Sequence, residues 1–170
     1  AARTRADDVG DLMLSMLRGE EGLQARELDD LCSWLATQSE RPDVICLSNA
    51  LLIGLARQLR ARLATPVVCM LQGEDAFLDA LPSSHRQAAW DLLAERARDA
   101  DMFVAPSRYF ANRMTERLRL DPARVRVVPN GLNLDDFTVQ STAEATPKMP
   151  PETPPVIGYF ARICPEKGLE

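Results

Sequence analysis

Two cations on a glycine-bearing loop, Arg162 and Lys167, are the side chains of this sequence best suited to holding an anion. They follow an apolar run from Val156 to Ala161 and lie within Gly158-Tyr-Phe-Ala-Arg162 and Pro165-Glu-Lys-Gly168. A guanidinium gives forked hydrogen bonds and an ammonium adds a compact charge, a combination that suits a diphosphate. If the run is a strand and a helix starts after Gly168, backbone N–H groups and the helix dipole would join them. By spacing alone, a solvated Arg and Lys on a loop explains the same residues.

Gln72-Gly-Glu-Asp75 is the densest polar group elsewhere. Gln72, Glu74 and Asp75 are candidates to bind a hydroxyl, take up a proton or hold a cation. The competing reading puts Glu74 and Asp75 in the first turn of a short helix through Leu81, where negative charge is favoured anyway. Ser107-Arg108 divides between helix capping, which is favoured, and contact with a hydroxyl or phosphate. Pro129-Asn130-Gly131 reads first as a turn, because Asn-Gly accepts positive φ at little cost, and second as a ligand contact. His85, the only histidine, has a surface role. Cys32, Cys46, Cys69 and Cys164 are too far apart for a paired metal motif and read as reduced core thiols, so no metal is expected.

These groups follow a regular scaffold. Val44-Ile-Cys-Leu47, Val67-Val-Cys-Met-Leu71, Met102-Phe-Val-Ala105 and Val125-Arg-Val-Val128 are short apolar runs, each leading into a polar turn. Such runs fit strands buried on both faces, with helices as crossovers, and predict an α/β fold with a Rossmann-like parallel sheet flanked by helices. A helix over 22–39 would turn Leu23, Leu28, Leu31, Trp34 and Leu35 inward. Ser48 or Asn49 would cap a second helix to about Leu63, Ser83 or Ser84 would start a third, and Ser107 would cap a fourth to about Leu120. In an open parallel sheet ligands gather at the carboxyl ends of the strands, which is where Ser48, Asn49, Gln72 to Asp75, Pro106 to Arg108 and Pro129 to Gly131 fall.

Composition removes several functions. At 170 residues and a formal net charge of −5, the chain has no cationic field for nucleic acid. Its longest apolar stretch, Val44 to Ala56, is interrupted by Ser48 and Asn49 and is shorter than the roughly 18 residues a membrane span needs. The N-terminus lacks the apolar core of a signal peptide and begins without Met, which reads as a cut or processed start. A cytoplasmic location is expected, with a longer parent peripheral to the inner membrane face as an open variant. From Thr138 to Pro155 the composition turns to Thr, Ala, Ser, Glu and Pro with almost no large apolar side chain, which reads as a stiff linker. The division expected is therefore a domain over 1–137, a linker over 138–155 and the start of a second domain over 156–170.

The order of the motifs carries a resemblance. Pro42-Asp-Val-Ile, Gln72-Gly-Glu-Asp75, Phe103-Val-Ala-Pro-Ser107, Val127-Val-Pro-Asn-Gly131 and Gly158-Tyr-Phe-Ala-Arg162 with Pro165-Glu-Lys-Gly168 resemble the retaining glycosyltransferases of family 4, from about Arg41 onward. The Pro-Asn-Gly and Arg to Glu-Lys-Gly segments are the specific parts. The resemblance implies two Rossmann-like domains facing across a cleft, the GT-B arrangement, and transfer of a hexose-type sugar from a nucleotide-sugar. It puts Arg162 and Lys167 on the donor diphosphate, and Ser107, Arg108, Asn130 and Gly131 on the acceptor side. The acceptor could be a sugar, a lipid or a small molecule. Fixed cations stabilise charge that builds on the leaving diphosphate, so the scheme needs no cofactor or metal.

Departures from the family pattern limit what it implies. The loop where relatives place a histidine reads Gln72-Gly-Glu-Asp75 here, so that role does not transfer. No strand with a glycine-rich loop precedes Arg41. The expectation is a fragment, inactive alone, of a larger enzyme. A non-catalytic flavodoxin-like binding or regulatory module is the alternative, and a metal-dependent hydrolase using Glu74 and Asp75 is a weaker rival. An apolar strand over 156–161 without its own sheet would dock on an edge of the first sheet or on another chain, giving self-association.

Overall fold

The computed structural model describes residues 6–133, Pro154 and residues 158–161. It divides into two units, Ala1–Gly131 and Leu132–Glu170. In the first, helices α1 (Ala6–Arg18) and α2 (Ala25–Ala36) precede strand β1 (Ile45–Leu47). A 3-10 segment, Ala50–Leu55, runs straight into α3 (Ala56–Leu63) and then β2 (Val67–Met70). Helices α4 (Glu74–Asp79) and α5 (Ser83–Arg96) lead to β3 (Met102–Ala105), and α6 (Arg108–Leu118) to β4 (Val125–Val127).

The four strands form one parallel sheet in sequence order, with Val68 paired to Cys46 and Met102, and Val104 to Met70 and Arg126. The α/β fold read from the apolar runs is therefore present, but burial on both faces is not. Parallel crossovers are right-handed, and here each moves one strand in the same direction, so the connecting helices collect on one face. On that face Leu47, Val67, Cys69, Phe103 and Ala105 are buried. The alternate positions Val68, Met70, Met102 and Val104 are only partly buried, and Cys46 is exposed. Among the described elements, α1 and α2 add a layer outside the connecting helices, packing on α5 and α3, instead of covering the second face.

Caps explain several helix starts. Asn49 Oδ1 accepts from the Leu51 N–H at 3.0 Å, and Ser107 Oγ accepts from the Phe110 N–H at 3.1 Å, so both expected caps are present. Sequence reasoning missed α1, whose Met13 and Leu17 are buried one helical turn apart. It also misassigned the inner face of α2. Leu28 and Cys32 are buried there, whereas Trp34 is 59% exposed and Leu23 lies outside the helix. The four-residue step from Leu28 to Cys32 faces the core, and Leu31 and Trp34 fall on the flank. Where the end of α1 crosses the 3-10 segment, a Cβ on Gly54 would stand 2.1 Å from the Met16 carbonyl oxygen. Only a residue without a Cβ lets the two backbones meet.

Charged side chains gather at the amino ends of the strands. Arg96, 1% exposed, pairs with Glu20 at 3.0 Å, donates to the Arg18 carbonyl and lies 3.8 Å from Asp99. Arg57 bridges the same two acids at 3.2 Å and 3.1 Å. Asp101 accepts from the first N–H of β2, that of Val67, at 2.8 Å and pairs with Arg60. Arg124 donates to the carbonyls of Ala97, Ala100 and Asp101.

His85 is less of a surface residue than expected. Its ring is against Gly10 of α1, its Nε2 is 3.0 Å from Asp11, and its side chain is 13% exposed. Cys32 and Cys69 are buried as expected of core thiols, whereas Cys46 is exposed, because it points from β1 to the uncovered face. In the second unit, Gly158 to Ala161 are exposed and lie outside any strand, contrary to the run read over 156–161. A strand persists only where a ladder partner takes its N–H and C=O groups. Val156, Ile157, Arg162, Cys164 and Lys167 lie outside the described residues.

Candidate functional site

The carboxyl edge of the sheet carries two cavities, one on each side of the loop after β2. The first, of about 400 Å³, is lined by Ser48, Asn49, Leu51, Gln72, Gly73, Glu74 and Phe77. The second, of about 270 Å³, is lined by Met70, Leu71, Gln72, Gly73, Pro106, Phe110 and Asn130. Gln72 and Gly73 form the ridge between them. Gly73 takes φ +92° with open space where a Cβ would point, so glycine is needed here for its backbone conformation.

Glu74 holds this ridge in place. It is 4% exposed; Oε1 accepts from the Ala50 N–H and Oε2 from the Gln72 N–H, both at 2.8 Å. One buried carboxylate thus joins the loop after β1 to the loop after β2 and supplies negative charge to the start of the 3-10 segment. Its neighbour Asp75 ion-pairs with Arg113 of α6. Both carboxylates are thus engaged within the protein. Gln72 is the one member of the group whose side chain is exposed on the cavity edge.

The remaining candidates separate in the same way. Ser107 caps α6, and Arg108, the first residue of that helix, is exposed and lines neither cavity. Asn130 lines the smaller cavity. Gly131 is exposed, and neither residue adopts positive φ or lies in a turn, so the expected Asn-Gly turn is not formed. The structure therefore brings Gln72 and Asn130 together, with Pro106 between them, and leaves Ser107 and Arg108 outside.

Sequence reasoning passed over Phe77. It belongs to α4, whose Leu78 is fully buried, yet its own ring is 39% exposed and walls the larger cavity. Its only sequence signal is a place three residues after Glu74, one helical turn along.

Among the described residues no Lys or Arg lines either cavity. Two cations of α6 are paired: Arg113 with Asp75, and Arg117 with Asp79 at 2.7 Å while its guanidinium lies 4.2 Å over the Trp90 ring, whereas Arg108 at the start of that helix is exposed. The Arg117 hydrogen bond, against some opposing burial and with help from the Trp90 N–H, holds the Asp79 carboxyl below its ordinary value. Burial, reinforced by the Glu74 charge, pushes the Cys69 thiol far above its ordinary range, which makes it a core group and not a nucleophile. Apart from the Glu74 carboxylate, which is turned onto backbone N–H groups, the described polar and aromatic walls are uncharged: amides, a hydroxyl and two aromatic rings. Such walls are suited to hydrogen bonding with hydroxyl groups.

The family model described as Glycosyltransferase Family 4 matches residues 20–136. The match spans all four strands of the parallel sheet, and the chain belongs to that glycosyltransferase family. A search of curated proteins gives no match. Among the described residues no helix is long and apolar enough to cross a membrane.

Proposed function

We propose that the protein transfers a hexose-type sugar from a nucleotide-sugar to an acceptor with retention of configuration, in a GT-B arrangement. The open carboxyl edge of a family 4 sheet carries this reading, because it offers hydrogen-bonding walls with, among the described residues, no cation for a diphosphate. Acceptor binding belongs at this edge. The charge on the leaving diphosphate then falls to Arg162 and Lys167, the two cations of the Gly158 to Gly168 segment. Neither Glu74 nor Asp75 is assigned a proton-transfer role, since their oxygens are occupied by backbone N–H groups and by Arg113. The reaction is assigned no cofactor or metal, and a cytoplasmic setting fits a nucleotide-sugar substrate.

These 170 residues alone are expected not to turn over, because the walls described belong to the acceptor side. In the longer protein, Arg162→Ala and Lys167→Ala are each expected to lower kcat by about a hundredfold or more, the scale seen when a charge-stabilising group is removed. Turnover of UDP-glucose, UDP-galactose and GDP-mannose, followed by release of the nucleoside diphosphate, is the measurement. Unchanged kinetics in both variants would remove the diphosphate role.

A further inference from the structure

The larger cavity has a chemistry more specific than an acceptor site of unstated kind. Its volume of about 400 Å³ is bounded by Ser48, Asn49 and Gln72 as hydrogen-bonding groups and by Phe77 and Leu51 as apolar ones. Among the described residues the Gln72 side-chain amide has no hydrogen-bond partner, which leaves two donors and a carbonyl acceptor at the cavity wall. Asn49 uses Oδ1 on the Leu51 N–H and one amide hydrogen on Ser48 Oγ, at 3.4 Å, so its second amide hydrogen and the Ser48 hydroxyl remain available.

The same hydrogen bonds exclude an anion. The start of the 3-10 segment would be a natural phosphate seat, but its N–H groups are taken: Ala50 by Glu74 and Leu51 by Asn49. The Glu74 carboxylate faces that point, and among the described residues no cation lines the cavity to offset it. An alkyl chain fits no better. It would strip water from Ser48, Asn49 and Gln72 and return no hydrogen bonds. A ligand with a hydroxyl edge and a C–H face satisfies both sets of walls: hydroxyls on the two amides and the serine, and the C–H face on the exposed Phe77 ring.

We infer that this cavity is a subsite for an uncharged sugar ring, gripped by Gln72, Asn49 and Ser48 and stacked on Phe77. It rests on the transferase reading only for its assignment to the acceptor, which is then a neutral carbohydrate and not a lipid tail or a phosphorylated compound.

Ligand-observed saturation-transfer NMR on the 170-residue chain tests it. The probes are methyl α-D-glucopyranoside, methyl α-D-mannopyranoside and maltose, with glucose 1-phosphate as the charged contrast. Saturation should reach the ring protons of at least one neutral probe and be weaker for glucose 1-phosphate. Phe77→Ala and Gln72→Ala should each weaken that binding by about tenfold, the equivalent of one lost stacking or hydrogen-bonding contact. Phe77→Tyr should retain it. Both positions are partly or fully exposed, so melting temperatures should stay near that of the parent chain and a lost signal would report the site. The inference is overturned if no neutral probe receives saturation, if glucose 1-phosphate binds as well, or if both alanine variants bind unchanged. Nucleotide-sugar turnover by the longer protein, measured separately, keeps the two readings apart. Glycoside binding without turnover would support the subsite and remove the transferase, and turnover with kinetics indifferent to Phe77→Ala would do the reverse.

Discussion

The two ends of the sheet are built from opposite materials. At the amino ends of the strands, Arg96, Arg57, Arg60 and Arg124 are matched against Glu20, Asp99, Asp101 and a set of helix-end carbonyls. At the carboxyl ends, the cavity walls hold amides, a hydroxyl, a proline and aromatic rings, and the one carboxylate present is turned onto backbone N–H groups. Charge at one end locks elements that lie far apart in the chain. At the other, the described walls are mostly neutral polar groups, which exchange with water at little cost. The lesson is a division of labour: a site can stay neutral and open when the charges that fix the scaffold are gathered away from it.

The sharpest way to break this contrast is at Arg96. Arg96→Met empties a fully buried cation site and strips the Arg18 carbonyl and the Glu20 carboxylate of a donor, so it should cost about 3–5 kcal/mol, read as a drop in urea midpoint. A loss below about 1 kcal/mol would mean that the network is decoration and that apolar packing alone holds this end.

Glu74 probes the other end, where the effect should be smaller and local. Glu74→Ala strips two buried N–H groups of their acceptor and should cost about 2–3 kcal/mol. Its distinguishing mark is faster hydrogen exchange at the amides of Ala50 and Gln72 ahead of any change in β3. Uniform acceleration across the sheet would show that the carboxylate supports the whole fold and not the ridge alone.

The weakest expected effect is a pH response. Asp79 has its pKa lowered from 3.8 in the folded chain, first by the Arg117 hydrogen bond. A depressed carboxylate contributes stability that is fully present above its unfolded value of 3.8 and is lost as pH falls through the lower folded value. Its side chain is 36% exposed, so solvent screening keeps the contribution small. Arg117→Met should therefore reduce stability slightly at pH 7 and flatten its decline from pH 5 to pH 2, as measured by urea midpoints. An identical acid slope in both proteins would assign that decline to Glu20 and the amino-end network instead.

Much of the framework was legible because it depends on short-range rules. Apolar runs marked the strands, Asn49 and Ser107 announced their helices by capping, and parallel topology pointed to the carboxyl ends. The role of Glu74 was not legible, since its carboxylate meets the N–H of Ala50, at a sequence separation of 24. The acidic loop consequently read as potential chemistry when one acid is a brace and the other an ion-pair partner. Apolar runs likewise could not tell a strand covered on both faces from one covered on a single face, because Val68, Met70 and Val104 are as apolar as their buried neighbours. Phe77 was hidden by the opposite ambiguity: an aromatic in a helix reads as core until its exposure is known.

The ridge formed by Gln72 and Gly73 bears on how this edge can diversify. Because both residues wall both cavities, any replacement there reshapes two binding volumes at once. Phe77 and Asn49 on one side, and Pro106 and Asn130 on the other, each belong to a single cavity and can vary independently. Changes of preference should accumulate on those outer walls, while the shared ridge, where one substitution has two consequences, drifts slowly.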